Sequence, residues 1–355
     1  MRIGVPSETK TLEGRVALVP AAAGDLVKRG HEVWVQSGAG IKSGFDDAAY
    51  ARLGVKIAAD AAALYGHGEL IVKVKEPIDG DLALLRPDHL LFCYLHLAPL
   101  PALTRRLLDI GLTAVAFETV ALDNGELPLL APMSVIAGRI AVQVGTHYLH
   151  QPLGGKGILL GGLPSTARGR VVVLGAGAAG GAAAALAAAG GANVVVFEKR
   201  DDRRTQMMQL GNNVTALYPY DDDVAREVAS ADLVVGAVLV TGAVAPHVVT
   251  RPMVEAMADG SVLVDIAIDQ GGCFETSRPT TWEAPTYVEA GVTHFCVTNM
   301  PGAVPRTASQ AICAAILPWV VKLASGQWRD DPALARGINV DAGKLVHPAL
   351  QGMKV

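Results

Sequence analysis

A chain of 355 residues exceeds what one hydrophobic core usually serves, so two domains are expected; its 51% hydrophobic and 18% charged content, with 39 glycines, argues against a disordered or coiled-coil chain. A net charge of −4 with scattered basic residues argues against a nucleic-acid partner. Cys93, Cys273, Cys296 and Cys313 stand singly inside apolar runs, without the paired spacing of a disulfide framework or zinc site, so reduced core cysteines and no metal are expected.

The chain starts on a strand, MRIGVP, without the apolar stretch of a signal peptide, and alanine-rich segments such as 182–189 are too short and glycine-bounded to span a bilayer. A cytoplasmic protein with no membrane partner is expected. Short β-branched runs then alternate with longer Ala/Leu-rich segments, the pattern of βα units around parallel sheets. A first series places strands over 2–5, 32–36, 70–74, 89–94 and 113–117, with helices near 20–29 and 101–109. A proline-free stretch, 134–150, reads as a helix crossing from one domain to the next. A second series places strands over 170–174, 193–197, 233–237, 261–267 and 292–297. Residues 307–324 read as a further long helix, and the polar tail beyond it has no sheet of its own and returns to the first domain. The fold class is thus α/β, with two Rossmann-like, doubly wound parallel-sheet domains flanking a cleft. The expected boundaries are 1–133 with 303–355 for a discontinuous substrate domain, and 134–302 for a nucleotide-binding domain.

In the second series the apolar strand 170–174 is followed at once by Gly175, Gly177 and Gly180 in G-x-G-x-x-G spacing, and an alanine-rich helix begins there. Such a triplet alone is weak; its position between strand and helix is specific. Gly175 permits the tight turn, Gly177 lets backbone approach a pyrophosphate, and Gly180 allows close helix packing, with the phosphates at a helix N-terminus. The next strand ends at Glu198, placed to accept ribose hydroxyls and to repel a 2′-phosphate. NAD is therefore preferred over NADP, although Lys199, Arg200 and Arg203 follow, and nearby arginines are how NADP is accommodated.

Open α/β sheets bind ligands beyond the carboxyl ends of their strands. Arg15 lies in the polar loop after the first strand, Lys75 after the run 70–74, His96 after 89–94 and Asp269 after 261–267. Arginine and lysine suit a carboxylate substrate, and histidine moves protons near neutral pH. Each also has a structural reading: Lys75 as a solvated strand end with Lys73 the functional lysine, His96 as a satisfied histidine, Asp269 as a helix cap.

The sequence resembles the alanine dehydrogenase family, related to the NAD domain of proton-translocating transhydrogenase, over nearly the whole chain. The carrying motifs are GVPSETK at 4–10, EGRVA at 13–17, KVKEP at 73–77, YLHLA at 94–98, LAPMS at 130–134, GAVLV at 236–240, VDIAIDQGGCFE at 264–275, SRPTT at 277–281 and NMPGAV at 299–304. The resemblance implies reversible oxidative deamination of L-alanine to pyruvate and ammonium. Arg15 and Lys75 would hold the substrate, near Tyr94 and Met133, with His96 and Asp269 as acid–base residues. Ser134, Gly175, Gly177, Ala178, Ala179, Gly180, Glu198, Arg203, Val238, Leu239, Ile266, Asp269, Asn299 and Met300 would surround NAD. A homo-oligomer, typically a hexamer, is implied as well. Glu198 stands where an aspartate is usual, Arg203 where a lysine is, Val135 where glutamate is common and Gly181 where a larger residue is frequent. The alternatives are a transhydrogenase-like nucleotide-binding module and a dehydrogenase of another amino acid.

Overall fold

The computed structural model describes residues 1–238 and 247–353. The chain divides into two compact units, Met1–Met133 with Gly302–Val355, and Ser134–Pro301. Strands β1 (Arg2–Val5), β2 (Glu32–Gln36), β3 (Lys56–Ala58), β4 (Leu70–Val72), β5 (Leu90–Cys93) and β6 (Thr113–Ala116) belong to the first unit. The second contains β7 (Arg170–Leu174), β8 (Asn193–Phe197), β9 (Val214–Leu217), β10 (Leu233–Gly236), β11 (Val262–Asp265), β12 (Thr286–Glu289) and β13 (Val292–Phe295). The returning tail adds β14 (Ile338–Asp341) and β15 (Lys344–Leu345) to the first.

The first sheet runs β15-β14-β6-β5-β4-β1-β2-β3, parallel from β6 to β3, with β14 antiparallel to β6 and β15 antiparallel to β14. Its central strands are apolar at consecutive positions. Leu70, Ile71, Val72, Leu91, Phe92 and Cys93 are all fully buried, as strands covered on both faces require. The second sheet runs β12-β13-β11-β10-β7-β8-β9 and is parallel except for β12, which pairs antiparallel with β13. Its core is a valine stack from β7, β8, β10 and β11.

Both sheets reverse winding direction at a central strand. Chain order proceeds from β1 through β2 to β3 on one side and from β4 through β5 to β6 on the other; in the second sheet β7 stands between β8 and β10 in the same way. The loops leaving β1 and β4, and those leaving β7 and β10, therefore diverge and open a crevice at the carboxyl ends.

Helices begin where the sequence supplies a start. Pro20 and Pro101 occupy the first helical positions of Pro20–Lys28 and Pro101–Ile110, where a missing N–H costs nothing. The helix Ala131–Tyr148 begins three residues earlier than the sequence pattern suggested. The helix Pro305–Ala324 is long and apolar enough to cross a membrane by length and composition. It packs as a core helix of the first unit: Ala308, Ile312, Cys313, Ile316, Val320 and Leu323 are buried, and Ser309 Oγ accepts from the Val16 N–H at 2.9 Å. All four cysteines are buried and free.

Several strands differ from the sequence pattern. β3, β9, β12, β14 and β15 were not anticipated; each is short and lies at or next to a sheet edge, where apolar periodicity is weak. The strand expected over 261–267 spans only Val262–Asp265, because the Asp265 side chain accepts the Ala267 N–H at 3.0 Å and turns the chain into a 3-10 helix, Ile266–Gln270.

Candidate functional site

In the first unit the loop after β1 carries three buried charged residues. Glu8 folds back to accept the backbone N–H groups of Val74, at 2.7 Å, and Lys75, at 3.4 Å, and so fixes the exit of the chain from β4. Lys73, 1% exposed, lies 3.3 Å from Asp81 Oδ2 and 3.5 Å from Glu8 Oε2. Its ammonium makes no well-directed hydrogen bond and is held by charge. Burial opposes its charge, but Glu8 and Asp81 outweigh that and raise its pKa. Asp81 also accepts from the Tyr65 hydroxyl, at 2.8 Å, and from the Ile78 N–H. Lys73 is thus the countercharge of a buried cluster, while Lys75 is half-buried and stands just beyond it.

Arg15 is 2% exposed and locked to Glu13, with Nε donating to Oε1 at 2.7 Å and Nη2 donating to Oε2. Glu13 thereby occupies the side edge of the guanidinium, and Nη1 is directed to Met133 Sδ at 3.3 Å. Burial opposes the Arg15 charge, but the Glu13 carboxylate more than offsets it.

Tyr94 is buried, donates its hydroxyl to the Leu129 carbonyl at 2.6 Å and stacks on the His96 ring with centroids 5.7 Å apart. Burial pushes its phenol pKa up, so it stays protonated. His96 has φ of 49°, in the left-handed region that bulky residues rarely adopt. Glu118 holds it there, accepting the His96 N–H at 2.7 Å and the Leu95 N–H at 3.1 Å. The ring, 37% exposed, has Nδ1 3.1 Å from Glu76 Oε2, and the other Glu76 oxygen takes the Lys10 ammonium. Burial works against the Glu76 charge, but the bonds and charges of His96 and Lys10 outweigh it and hold the carboxyl well below its ordinary range.

In the second unit the three glycines do different work. Gly175 has φ of 92°, and a Cβ there would lie 2.8 Å from the Ala237 carbonyl oxygen. A Cβ on Gly180 would lie 1.8 Å from the Gly175 carbonyl oxygen. A Cβ on Gly177 would meet only Arg203 Nη1, at 3.7 Å. Gly177 is therefore bare for a reason outside its own packing, as a cradle for an incoming group requires. It precedes the helix Ala178–Ala189, whose first N–H groups, including those of Ala178 and Ala179, have no carbonyl a turn earlier to bond. A bare glycine, a helix N-terminus and one guanidinium suit a dinucleotide pyrophosphate.

Around this cradle, Gly138 of the helix Ala131–Tyr148 makes a contact in which a Cβ would lie 2.0 Å from the Ala179 carbonyl oxygen. Ser134 is one turn earlier on the same face. Glu198 is bonded to the loop itself, accepting the Ala176 N–H at 2.8 Å and the Arg200 N–H at 2.9 Å. Of the basic residues after it, Arg200 pairs with Asp202 and Arg204 with Asp201, whereas Arg203 lies against Gly177. Val238 ends the described part of its loop, half-buried, beside Gly175; Leu239 lies outside the described residues.

The turn after β11 is organised by Asp265, fully buried, which accepts from the N–H groups of Ala267 and Cys273 and, at 2.5 Å, from the Ser277 hydroxyl. It presents Ile266 half-buried and Asp269 exposed. Asn299, with φ of 58°, precedes the buried Met300.

Arg15, Lys75, Tyr94, His96 and Met133 thus lie in the first unit, where contacts join Arg15 to Met133 and Tyr94 to His96, and Ser134, the glycine loop, Glu198, Arg203, Val238, Ile266, Asp269, Asn299 and Met300 lie in the second, where Glu198, Arg203 and Val238 adjoin the glycine loop. Sequence reasoning missed the acids behind the first group, Glu8, Glu13, Glu76, Asp81 and Glu118, and Gly138 behind the second. Glu118 was within reach of the strand-end rule, since it lies two residues past β6; Glu8, Glu13 and Glu76 lie inside the motifs already singled out.

Family models for the alanine dehydrogenase/PNT N-terminal and C-terminal domains match residues 4–137 and 141–348. The chain is 50% identical to the alanine dehydrogenase of Halomonas elongata over 355 residues, covering 99% of this chain and 96% of that one. It is 46% identical to that of Geobacillus stearothermophilus over 359 residues, covering 99% and 95%. Among solved structures, an L-alanine dehydrogenase superposes with a TM-score of 0.95 at 48% identity, covering 99% and 98% of the two chains. A transhydrogenase from Sinorhizobium meliloti, 24% identical and covering 98% and 100%, superposes at 0.85 and shares the fold.

Proposed function

The chain belongs to the alanine dehydrogenase/PNT family, and from that membership we propose that it catalyses the reversible oxidative deamination of L-alanine. L-Alanine, NAD+ and water give pyruvate, ammonium, NADH and a proton. The observation that carries this reading is the first unit's polar cluster. Arg15 and His96 are each held in place by an acid, and Lys75 leaves a strand whose end is fixed by another. Burying such charges is costly, and a module that only bound nucleotide would gain nothing from it.

NAD, when bound, supplies the acceptor for the hydride of the alanine α-carbon. Ser134, Gly175, Gly177, Ala178, Ala179, Gly180 and Arg203 would hold its phosphates, and Glu198 would take the adenine-ribose hydroxyls, where its charge would disfavour a 2′-phosphate. Val238, Ile266, Asn299 and Met300 would complete the cofactor's surroundings, with Leu239, outside the described residues, assigned there by the family resemblance alone. Arg15 and Lys75, holding the substrate carboxylate and carbonyl, fix the α-carbon, while Tyr94 and Met133 limit the space for a side chain. The substrate ammonium first gives up the one net proton of the reaction, and loss of the hydride from the resulting amine then leaves an iminium on the substrate. His96 or Asp269 takes a proton from water as its oxygen bonds to the α-carbon and returns it to nitrogen; the C–N bond then breaks as the hydroxyl oxygen forms the pyruvate carbonyl, and the hydroxyl proton passes to the departing ammonia to give ammonium. The proposal includes a cytoplasmic homo-hexamer, which sedimentation velocity of the purified chain tests.

The decisive assay follows NADH or NADPH formation over the set of amino acids with NAD+ and NADP+ in parallel. Turnover is expected with L-alanine and NAD+. Tight NADH binding without turnover of any amino acid would replace this reading by a nucleotide-binding module, and turnover only with a larger amino acid would replace the substrate.

A further inference from the structure

We propose that Glu76 is the positioning residue that sets which ring nitrogen of His96 exchanges protons, directing that exchange to Nε2. The inference rests on the dehydrogenase reading and deepens it. An ionised carboxylate has only acceptor sites, so the 3.1 Å contact between Glu76 Oε2 and His96 Nδ1 requires Nδ1 to carry the hydrogen. The neutral ring then has its lone pair on Nε2, and when Nε2 takes a proton the resulting imidazolium faces a fixed negative charge.

The surroundings make the pair a built device. Glu76 is itself buried and anchored on its other oxygen by Lys10, which arrives from the loop after β1. Glu118 secures the left-handed backbone of His96 from beneath through two N–H groups, and the Tyr94 ring covers one face of the imidazole. Three elements therefore fix the ring: the segment after β4 supplies Glu76, the segment after β6 supplies Glu118, and Tyr94 follows the last residue of β5. Lys75, one residue before Glu76, adds a second positive charge beside that carboxylate. A histidine kept only to satisfy packing needs none of these partners, and the left-handed backbone would be an unrewarded strain.

The test is Glu76→Gln. Its amide either accepts from Nδ1–H or donates to Nδ1, so the tautomer is no longer dictated and the negative charge is gone. The kcat for L-alanine oxidation is expected to fall about 10- to 100-fold, within the range seen for general acid–base groups, with KM for L-alanine within about threefold. The solvent deuterium isotope effect on kcat should rise and the effect of α-deuterated alanine should shrink, because proton transfer becomes slower than hydride loss. NADH affinity, a property of the second unit, should be unchanged. A kcat within twofold of the parent protein, or a fall with both isotope effects unmoved, overturns the inference. Should Glu76→Gln fold poorly, Lys10→Met loosens the same carboxylate without touching the ring; it should lower kcat by less than about tenfold with isotope effects moving in the same directions, and unmoved isotope effects overturn the inference there too. Absence of turnover by the parent protein would instead count against the dehydrogenase reading.

Discussion

The two units place their candidate groups at the same topological position, the carboxyl ends of strands flanking a winding reversal, yet build them from opposite materials. In the second unit the site is mainly backbone: a glycine left bare, another that a Cβ would drive into a carbonyl, and the first N–H groups of a helix. In the first it is side chains, and nearly every cation is paired with a buried acid. Backbone sites cost little charge burial and are rigid because they are part of the fold. Side-chain sites can hold and move protons, but each charge needs its own support.

Breaking the charged support should have the largest effect. Lys73→Met leaves Glu8 and Asp81 buried without their countercharge, and a loss of about 3–5 kcal/mol is expected in urea denaturation. A loss under 1 kcal/mol would mean that the cluster is not the first unit's support. The glycine cradle divides more finely. Gly180→Ala forces backbone apart and should cost about 1–3 kcal/mol of stability, whereas Gly177→Ala should cost about 1 kcal/mol or less. NADH titration should nevertheless show Gly177→Ala binding about tenfold more weakly, since its methyl group occupies the space proposed for phosphate. Equal stability losses for the two variants would contradict the distinction.

What was legible in the sequence follows the same division. The strand ends at Leu174 and Phe197, just before Gly175 and Glu198, were placed to the residue because apolar strand, glycine spacing and helix all lie within one short segment. Arg15 and His96 could be picked out by residue type and strand end, but their partners could not. Glu118 is 22 residues from His96, and Glu8 is 66 from Val74, so those pairings exist only once the sheet order is known. Lys73 and Lys75 were indistinguishable by position, and the structure separates them because two acids converge on the first. Strands β14 and β15 were invisible because the apolar residues of 338–345 stand singly between polar ones, without the uninterrupted apolar run that marks the equally short central strands.

Smaller effects sharpen the contrast further. Glu76 has its carboxyl held below the ordinary value of 4.5, so it stabilises the fold above that pH, and the contribution is lost as pH falls through the depressed value. The parent protein should therefore be more stable than Glu76→Gln at neutral pH, with the difference in thermal midpoint closing below about pH 4.5; a pH-independent difference would contradict the sign. Glu198→Asp shortens the reach to the Ala176 N–H and should cost about 1 kcal/mol, with NADH affinity changed by less than about fivefold. A larger loss of affinity would make the Ala176 bond a principal element of the cradle.

The most direct test of the division of labour is a paired measurement on Lys75→Ala, with L-alanine-dependent NADH formation and NADH binding followed on the same preparation. The account predicts that turnover falls by at least about a thousandfold while NADH affinity stays within about threefold, because the substituted lysine belongs to the unit proposed to hold substrate. Turnover that survives the substitution, or NADH affinity that falls in step with it, would contradict the account.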